Sequence, residues 1–313
     1  MKRVVYLTGK LLSLAALVYL VVRLVQEWGR IPSVSWSPLA VAGLVGTTVL
    51  VTVSVPISAG IWKMLLAGGG VPIRYRHAFT IMAISQMWRY LPGIFLHQVG
   101  QVAMARRAGI ALSAAALTVG LQTALNMLTN AGIAVLGLTL AAEKLPPWLL
   151  TALAGRMWLL WAGGAAALAV LAVGLASPPV RRWTGQRMAY LHPRGMLAAV
   201  ALYILINAMV GMALSLLLRT FWPQPFPVRW YEFAWGFALA WVIGFLIPGA
   251  PAGLGIREAV LVELYANELG AGVIIGLGLL LRALMMVGDL TAFGVAVWLS
   301  RGSGARATGA GAA

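Results

Sequence analysis

Ile247-Pro248-Gly249-Ala250-Pro251-Ala252-Gly253-Leu254-Gly255-Ile256-Arg257-Glu258-Ala259 breaks an otherwise apolar stretch that runs from 230 to 268. Proline lacks the amide hydrogen that a helix needs, and glycine relaxes the backbone, so this Pro/Gly run stops a helix near its middle. A transmembrane helix takes about 20 residues, and neither half is long enough to cross alone. A short helix, a turn and a second short helix leaving on the same side fit the pattern: a re-entrant hairpin. The same grammar occurs earlier, in a stretch from 77 to 107 broken at Leu91-Pro92-Gly93.

Six unbroken apolar runs surround these two segments, at 7–26, 39–66, 111–140, 148–176, 196–218 and 271–300. Of the 313 residues, 61% are hydrophobic and 10% charged. A soluble domain carries about 45–50% apolar and about 25% charged residues, so there is too little polar surface here to face water. Disorder requires low hydrophobicity and is excluded as well. A transmembrane barrel would alternate in segments of about 10 residues, and no such alternation is sustained. The fold class is therefore all-α: a polytopic membrane protein of about six full spans and two broken hairpins.

The order of elements repeats. Each half reads span, span, broken hairpin, span, and Pro92 and Pro248 lie 156 residues apart. A half with three full crossings forces its copy to sit upside down, which is the inverted-repeat plan of many transporters, where interrupted segments at matching places mark the substrate site. The expected transmembrane domain covers 1–301, with pseudo-repeats at about 1–145 and 146–301, followed by a disordered Gly/Ala-rich tail at 302–313.

The 23 Lys and Arg against 7 Asp and Glu would suggest nucleic acid in a soluble chain. Here the basic residues fall between apolar runs, where they set orientation and meet anionic headgroups. No nucleic-acid partner is expected. Fourteen lie on the side of the N-terminus and six on the other, with Arg89, Arg257 and Arg282 unassigned, so both termini are expected in the cytoplasm of an inner- or plasma-membrane protein. The first run is read as a retained helix, since no small-residue cleavage site follows it. Cysteine is absent, which removes disulfides and thiol chemistry, and the three histidines show no metal spacing. No cofactor is expected. Nucleotide-binding and hydrolase motifs are missing too, so the chain does not read as an enzyme.

Several residues are candidates for the site. A Pro/Gly turn opening onto a helix start that carries Arg257 suits a phosphate, which would meet unpaired amides around Gly253 and Gly255 and a guanidinium. A surface loop with a helix cap is the plainer alternative. Glu258 would cap that helix or balance Arg257. Arg89, three residues before Pro92, either lines a cavity or snorkels. Arg106, with Arg107, either holds a lipid phosphate or anchors the chain at the cytoplasmic face. Arg282 and Asp289 are seven residues apart, so they share a helix face about 10 Å apart, and each is expected to meet a group on the second hairpin, such as Glu258 or Arg257, as structural glue or as substrate contact. Gln122, Asn126 and Asn130 form a polar stripe at four-residue spacing, read as interhelical hydrogen bonding or as a headgroup track. Asn207 reads the same way.

The Pro-Gly segment ending in Gly253-Leu254-Gly255-Ile256-Arg257-Glu258-Ala259 resembles the signature of the lysylphosphatidylglycerol synthase transmembrane region, a flippase-like family of integral membrane proteins. Leu91-Pro92-Gly93, Gly100 and Arg106-Arg107-Ala108-Gly109 resemble that family's earlier motif. Ala250-Pro251-Ala252 is inserted relative to the usual pattern, and Arg89-Tyr90 replaces the usual polar residue before Leu-Pro-Gly. The resemblance implies translocation of a lipid, or service to lipid-linked sugar or aminoacyl-lipid pathways. Bifunctional relatives append an aminoacyl-transferring domain, so synthase activity is not expected of a chain ending at Ala313. The lipid headgroup would be an anionic phospholipid, an aminoacyl lipid or an isoprenoid-linked sugar. Two rivals stand beside this expectation: a non-transporting membrane partner of a glycosyltransferase or other lipid-modifying enzyme, and an intramembrane enzyme acting on headgroups.

Overall fold

The computed structural model describes residues 37–90, 95–141, 151, 193–222, 225–247 and 255–309, with backbone alone at 193 and beyond 301. The expected spans at 7–26 and, apart from residue 151, 148–176, both Pro-Gly turns, and the side chains of the expected tail lie outside the described residues. Those described form α-helices and one 3-10 turn, without a strand. In chain order they are α1 (Pro38–Gly68), α2 (Tyr75–Gln86), α3 (Leu96–Arg107), α4 (Leu112–Leu140), α5 (Pro193–Phe221), α6 (Trp230–Leu246), α7 (Ile256–Leu269) and α8 (Ala271–Gly309).

Four stretches are long and apolar enough to cross a membrane: Pro38–Gly68, Leu112–Leu140, Arg194–Phe221 and Ala271–Arg301. They coincide with four of the six expected runs. At 28 to 31 residues each, they reach about 42–46 Å at ~1.5 Å per residue, more than the ~30 Å of hydrocarbon. Ser37 starts α1 by accepting a hydrogen bond from the Ala40 amide at 3.1 Å, with Pro38 in the first turn, where its missing N–H is no loss. Val41, Val45, Val49 and Val53 then form an outward stripe, each at least 38% exposed. Four-residue spacing keeps one helix face together, and a water-facing helix would place polar side chains on it. This face suits lipid.

Each broken segment is a pair of short helices. In the first, α2 tightens into a 3-10 turn at Met87–Tyr90 before the break, and α3 follows it. The arms touch at Gly100, where an added Cβ would stand 2.9 Å from the Trp88 ring, so only glycine lets them close. In the second, α6 precedes the break and α7 follows. Helix α8 packs against both α2 and α7, one arm of each broken segment. Three buried apolar clusters hold the bundle. One joins α5, α6, α7 and α8 around Tyr265, Phe233 and Leu214. Another joins α1, α2 and α8 around Trp62 and Ile81. The smallest sets Ile61 and Leu65 against Leu121 and Tyr203.

Candidate functional site

The flanks of the two breaks meet. Phe95, the first described residue after the first break, has φ 64°, a left-handed conformation rare for a side chain of its size. Its ring stands edge-on to Phe245 near the end of α6, with centroids 5.5 Å apart. Beside this contact is a cavity of about 220 Å³. Arg89 and Gln101 line it from the first broken segment, Arg257 and Trp241 from the second, and Gln122 and Asn126 from α4.

Local geometry at the start of α7 aims Arg257. Gly255 precedes the helix with φ 80°, a backbone state that side chains disfavour. Glu258 accepts the Gly255 amide hydrogen at 2.9 Å, which caps the helix. The other carboxylate oxygen of Glu258 lies 3.1 Å from the Arg282 guanidinium, not on Arg257. Arg257 is left over the face of Trp241, 5.8 Å from its centroid, and its Nε is buried without a hydrogen-bond partner. Among the described residues it enters no ion pair. Gly253 lies outside the described residues.

The expectation that Asp289 meets the second hairpin is corrected. Asp289 accepts hydrogen bonds from Tyr90 at 2.7 Å and Arg89 at 3.3 Å, both on the first broken segment. Arg282 does meet the second, through Glu258. The seven-residue spacing separates the two groups along α8 by about 10 Å, so one helix face serves both segments. Both lie within about 6 Å of the midpoint of the apolar stretch at ~1.5 Å per residue. Charges at that depth are expensive unless paired. The pairs answer that cost for Arg89, Arg282, Glu258 and Asp289. Three guanidiniums against two carboxylates leave one positive charge, and it sits on Arg257.

The polar stripe on α4 serves as both glue and lining. Gln122 donates to the Ser58 carbonyl at 3.2 Å and accepts from Gln101 at 3.4 Å. Asn130 accepts from Asn207 at 2.6 Å, joining α4 to α5, and donates to the Asn126 side chain at 2.8 Å. Gln122 and Asn126 also face the cavity, whereas Asn130 does not line it. Arg89 lines the cavity too, with a hydrogen bond to Gln86 on its other side. Arg106 is elsewhere. It sits exposed with Arg107 at the end of α3, beside a groove of about 990 Å³ between α3 and α4. Val99, Val102, Leu112 and Met127 make that groove apolar. Phe95, Gln98, Thr123 and Phe245 border both the groove and the polar cavity, so the two share a wall.

Sequence reasoning missed Gln98, Gln101 and Trp241. The two glutamines are three apart on a short helix, the same signal that marked Gln122 and Asn126 on α4. Trp241 gave no signal, because an aromatic in an apolar run reads as packing.

The chain matches the family model described as the lysylphosphatidylglycerol synthase TM region over residues 6–292, nearly its whole length. No curated protein matches it.

Proposed function

The chain belongs to the lysylphosphatidylglycerol synthase TM region family, and from that premise we propose that it moves an anionic lipid headgroup between the leaflets of the cell membrane. One observation carries the proposal. Among the described residues Arg257 enters no ion pair, and it lines a polar cavity that shares a wall with an apolar groove. A lipid has the same two parts. Its phosphate would bind Arg257 by charge-assisted hydrogen bonds, and its acyl chain would lie along α3 and α4. Arg106 and Arg107, at the groove's end, would gather anionic headgroups from the surface. The two ion pairs to α8 hold the walls while carrying no ligand themselves.

In this scheme the broken segments are re-entrant hairpins of two inverted repeats, with both termini in the cytoplasm. The fourteen-to-six distribution of basic residues supports that orientation. The role is carriage, with no bond made or broken. Only the headgroup needs a polar route, since a groove open to the side lets the tails stay in the bilayer.

Reconstitution tests this. Vesicles containing the full chain and a tail-labelled phosphatidylglycerol should expose inner-leaflet label to a membrane-impermeant quencher faster than protein-free vesicles. Arg257→Ala removes charge-assisted bonds worth about 1.5–3 kcal/mol and should slow the exchange by about 10- to 100-fold. Exchange at the protein-free rate with every anionic lipid would overturn the proposal. Co-purification with a glycosyltransferase would then favour the partner role.

A further inference from the structure

We infer that the cavity takes a phosphate bearing an uncharged, hydroxyl-rich head, and rejects aminoacylated heads that carry an ammonium. This rests on the lipid-moving role proposed above and narrows it. The case begins with carboxylates. A charge taken out of water is costly unless it is paired and hydrogen-bonded, and the oppositely charged partner for an ammonium is a carboxylate. No carboxylate is among the described residues that line the cavity, and Glu27 and Glu143 lie outside the described residues. Glu258 and Asp289 are committed to Arg282 and Arg89. Glu232 is buried at the start of α6, where it accepts the Arg229 amide hydrogen. Glu263 is exposed on α7, and Glu268 lies in the last turn of that helix. The break segments 91–94 and 248–254 contain no acidic residue in sequence. An incoming ammonium would instead face Arg89 and Arg257, and like charges repel most strongly where water is scarce.

What the wall offers is amides. Gln98, Gln101, Gln122 and Asn126 all border the space. A side-chain amide both donates and accepts, as a hydroxyl does, so amides and polyols are natural partners. Gln98 adds an independent sign. Its Oε1 is buried with no hydrogen-bond partner. A buried acceptor left unmatched is unfavourable, and a ligand hydroxyl donating to it would remove the penalty. Arg257 Nε is the complementary unmatched donor, suited to a phosphate oxygen. Size agrees as well. A cavity of about 220 Å³ falls below the ~300–1,000 Å³ of drug-sized ligand sites, which suits a single small head and its phosphate.

Competition binding to the full chain in nanodiscs decides it, with a tail-labelled phosphatidylinositol as probe. Unlabelled phosphatidylinositol and phosphatidylglycerol should displace the probe at concentrations at least about tenfold lower than lysylphosphatidylglycerol. Gln98→Leu breaks no hydrogen bond within the protein. It should weaken phosphatidylinositol about three- to tenfold while leaving phosphatidic acid, which lacks the polyol, unchanged. Gln98→Glu supplies the missing carboxylate and should shift preference toward the lysylated lipid. If the probe binds but the lysylated lipid competes equally well, the headgroup assignment falls and the lipid-moving role stands. The assignment also falls if Gln98→Leu weakens phosphatidic acid as much as phosphatidylinositol. If neither the probe nor any anionic competitor binds, both fall together.

Discussion

Arg89 and Asp289, two hundred residues apart in sequence, form an ion pair at 3.3 Å that fastens the first broken segment to the last described helix. Tyr90 donates to the same carboxylate oxygen. Seven residues earlier on α8, Arg282 fastens the second broken segment through Glu258. A single helix thereby ties together the flanks of two interrupted segments. Charge buried in a membrane protein is costly, and here the cost fixes a geometry.

Asp289→Asn should therefore destabilise the chain. The carboxylate is nearly buried, whereas the Arg89 side chain is a third exposed toward the cavity, at 33%. Breaking a fully buried pair costs about 3–5 kcal/mol, and the exposure of Arg89 brings the expected loss down to about 1–3 kcal/mol. That amounts to several degrees of Tm in a detergent melt. Arg89→Gln combined with Asp289→Asn should recover part of the loss. Strict additivity of the two single losses would mean that the pair is not coupled.

Glu258 has two tasks that substitution can separate. Glu258→Gln retains an oxygen to accept the Gly255 amide hydrogen and loses the charge facing Arg282. Glu258→Ala loses both. The alanine variant should melt lower than the glutamine variant by the worth of a helix cap, about 0.5–2 kcal/mol. Equal melting temperatures would show that the cap contributes nothing.

Arg257→Lys should fall well short of wild-type lipid exchange. A guanidinium is planar, stacks on Trp241 and presents a fork to phosphate, whereas an ammonium is a point charge. Exchange should lie between that of wild type and Arg257→Ala, with folding unchanged. A lysine variant as fast as wild type would show that charge alone matters there.

How much of this was legible beforehand depends on the kind of signal. The broken segments follow from Pro92, Pro248 and their glycines, since the loss of a helix hydrogen bond is local chemistry. The long spans follow from composition and length. Partners across the bundle do not. Asp289 sits seven residues from Arg282, and spacing alone put both on one face without saying that the face looks to two different segments. Gln98 and Gln101 carried a visible signal in their three-residue spacing, but that they face a cavity is decided only when α4 closes the space opposite. Arg106 shows the reverse, a residue marked by charge that lies beside the groove and away from the polar cavity.

Gly100 tests the packing of the first broken segment. A methyl group there would meet the Trp88 ring at 2.9 Å, and overpacking of this kind costs about 1–3 kcal/mol. Gly100→Ala should lower the melting temperature, and Trp88→Leu in the same chain should restore much of it. Lack of rescue would place the strain somewhere other than this contact.

Gly120 offers the cleanest separation of stability from function. It lines the apolar groove on α4, and a Cβ added there meets nothing within 4 Å. Gly120→Phe starts from a Cβ with open space and puts a ring at the groove, and replacing a helix-interior glycine favours the helix by a few tenths of a kcal/mol or more. Melting temperature should hold or rise. Exchange of a two-chain phosphatidylglycerol should drop, because the acyl chain loses its path while the headgroup cavity is untouched. A lysolipid with the same headgroup and one chain needs less of the groove and should be slowed less. If both lipids exchange at the wild-type rate, the tails travel elsewhere, and the groove between α3 and α4 is no part of the route.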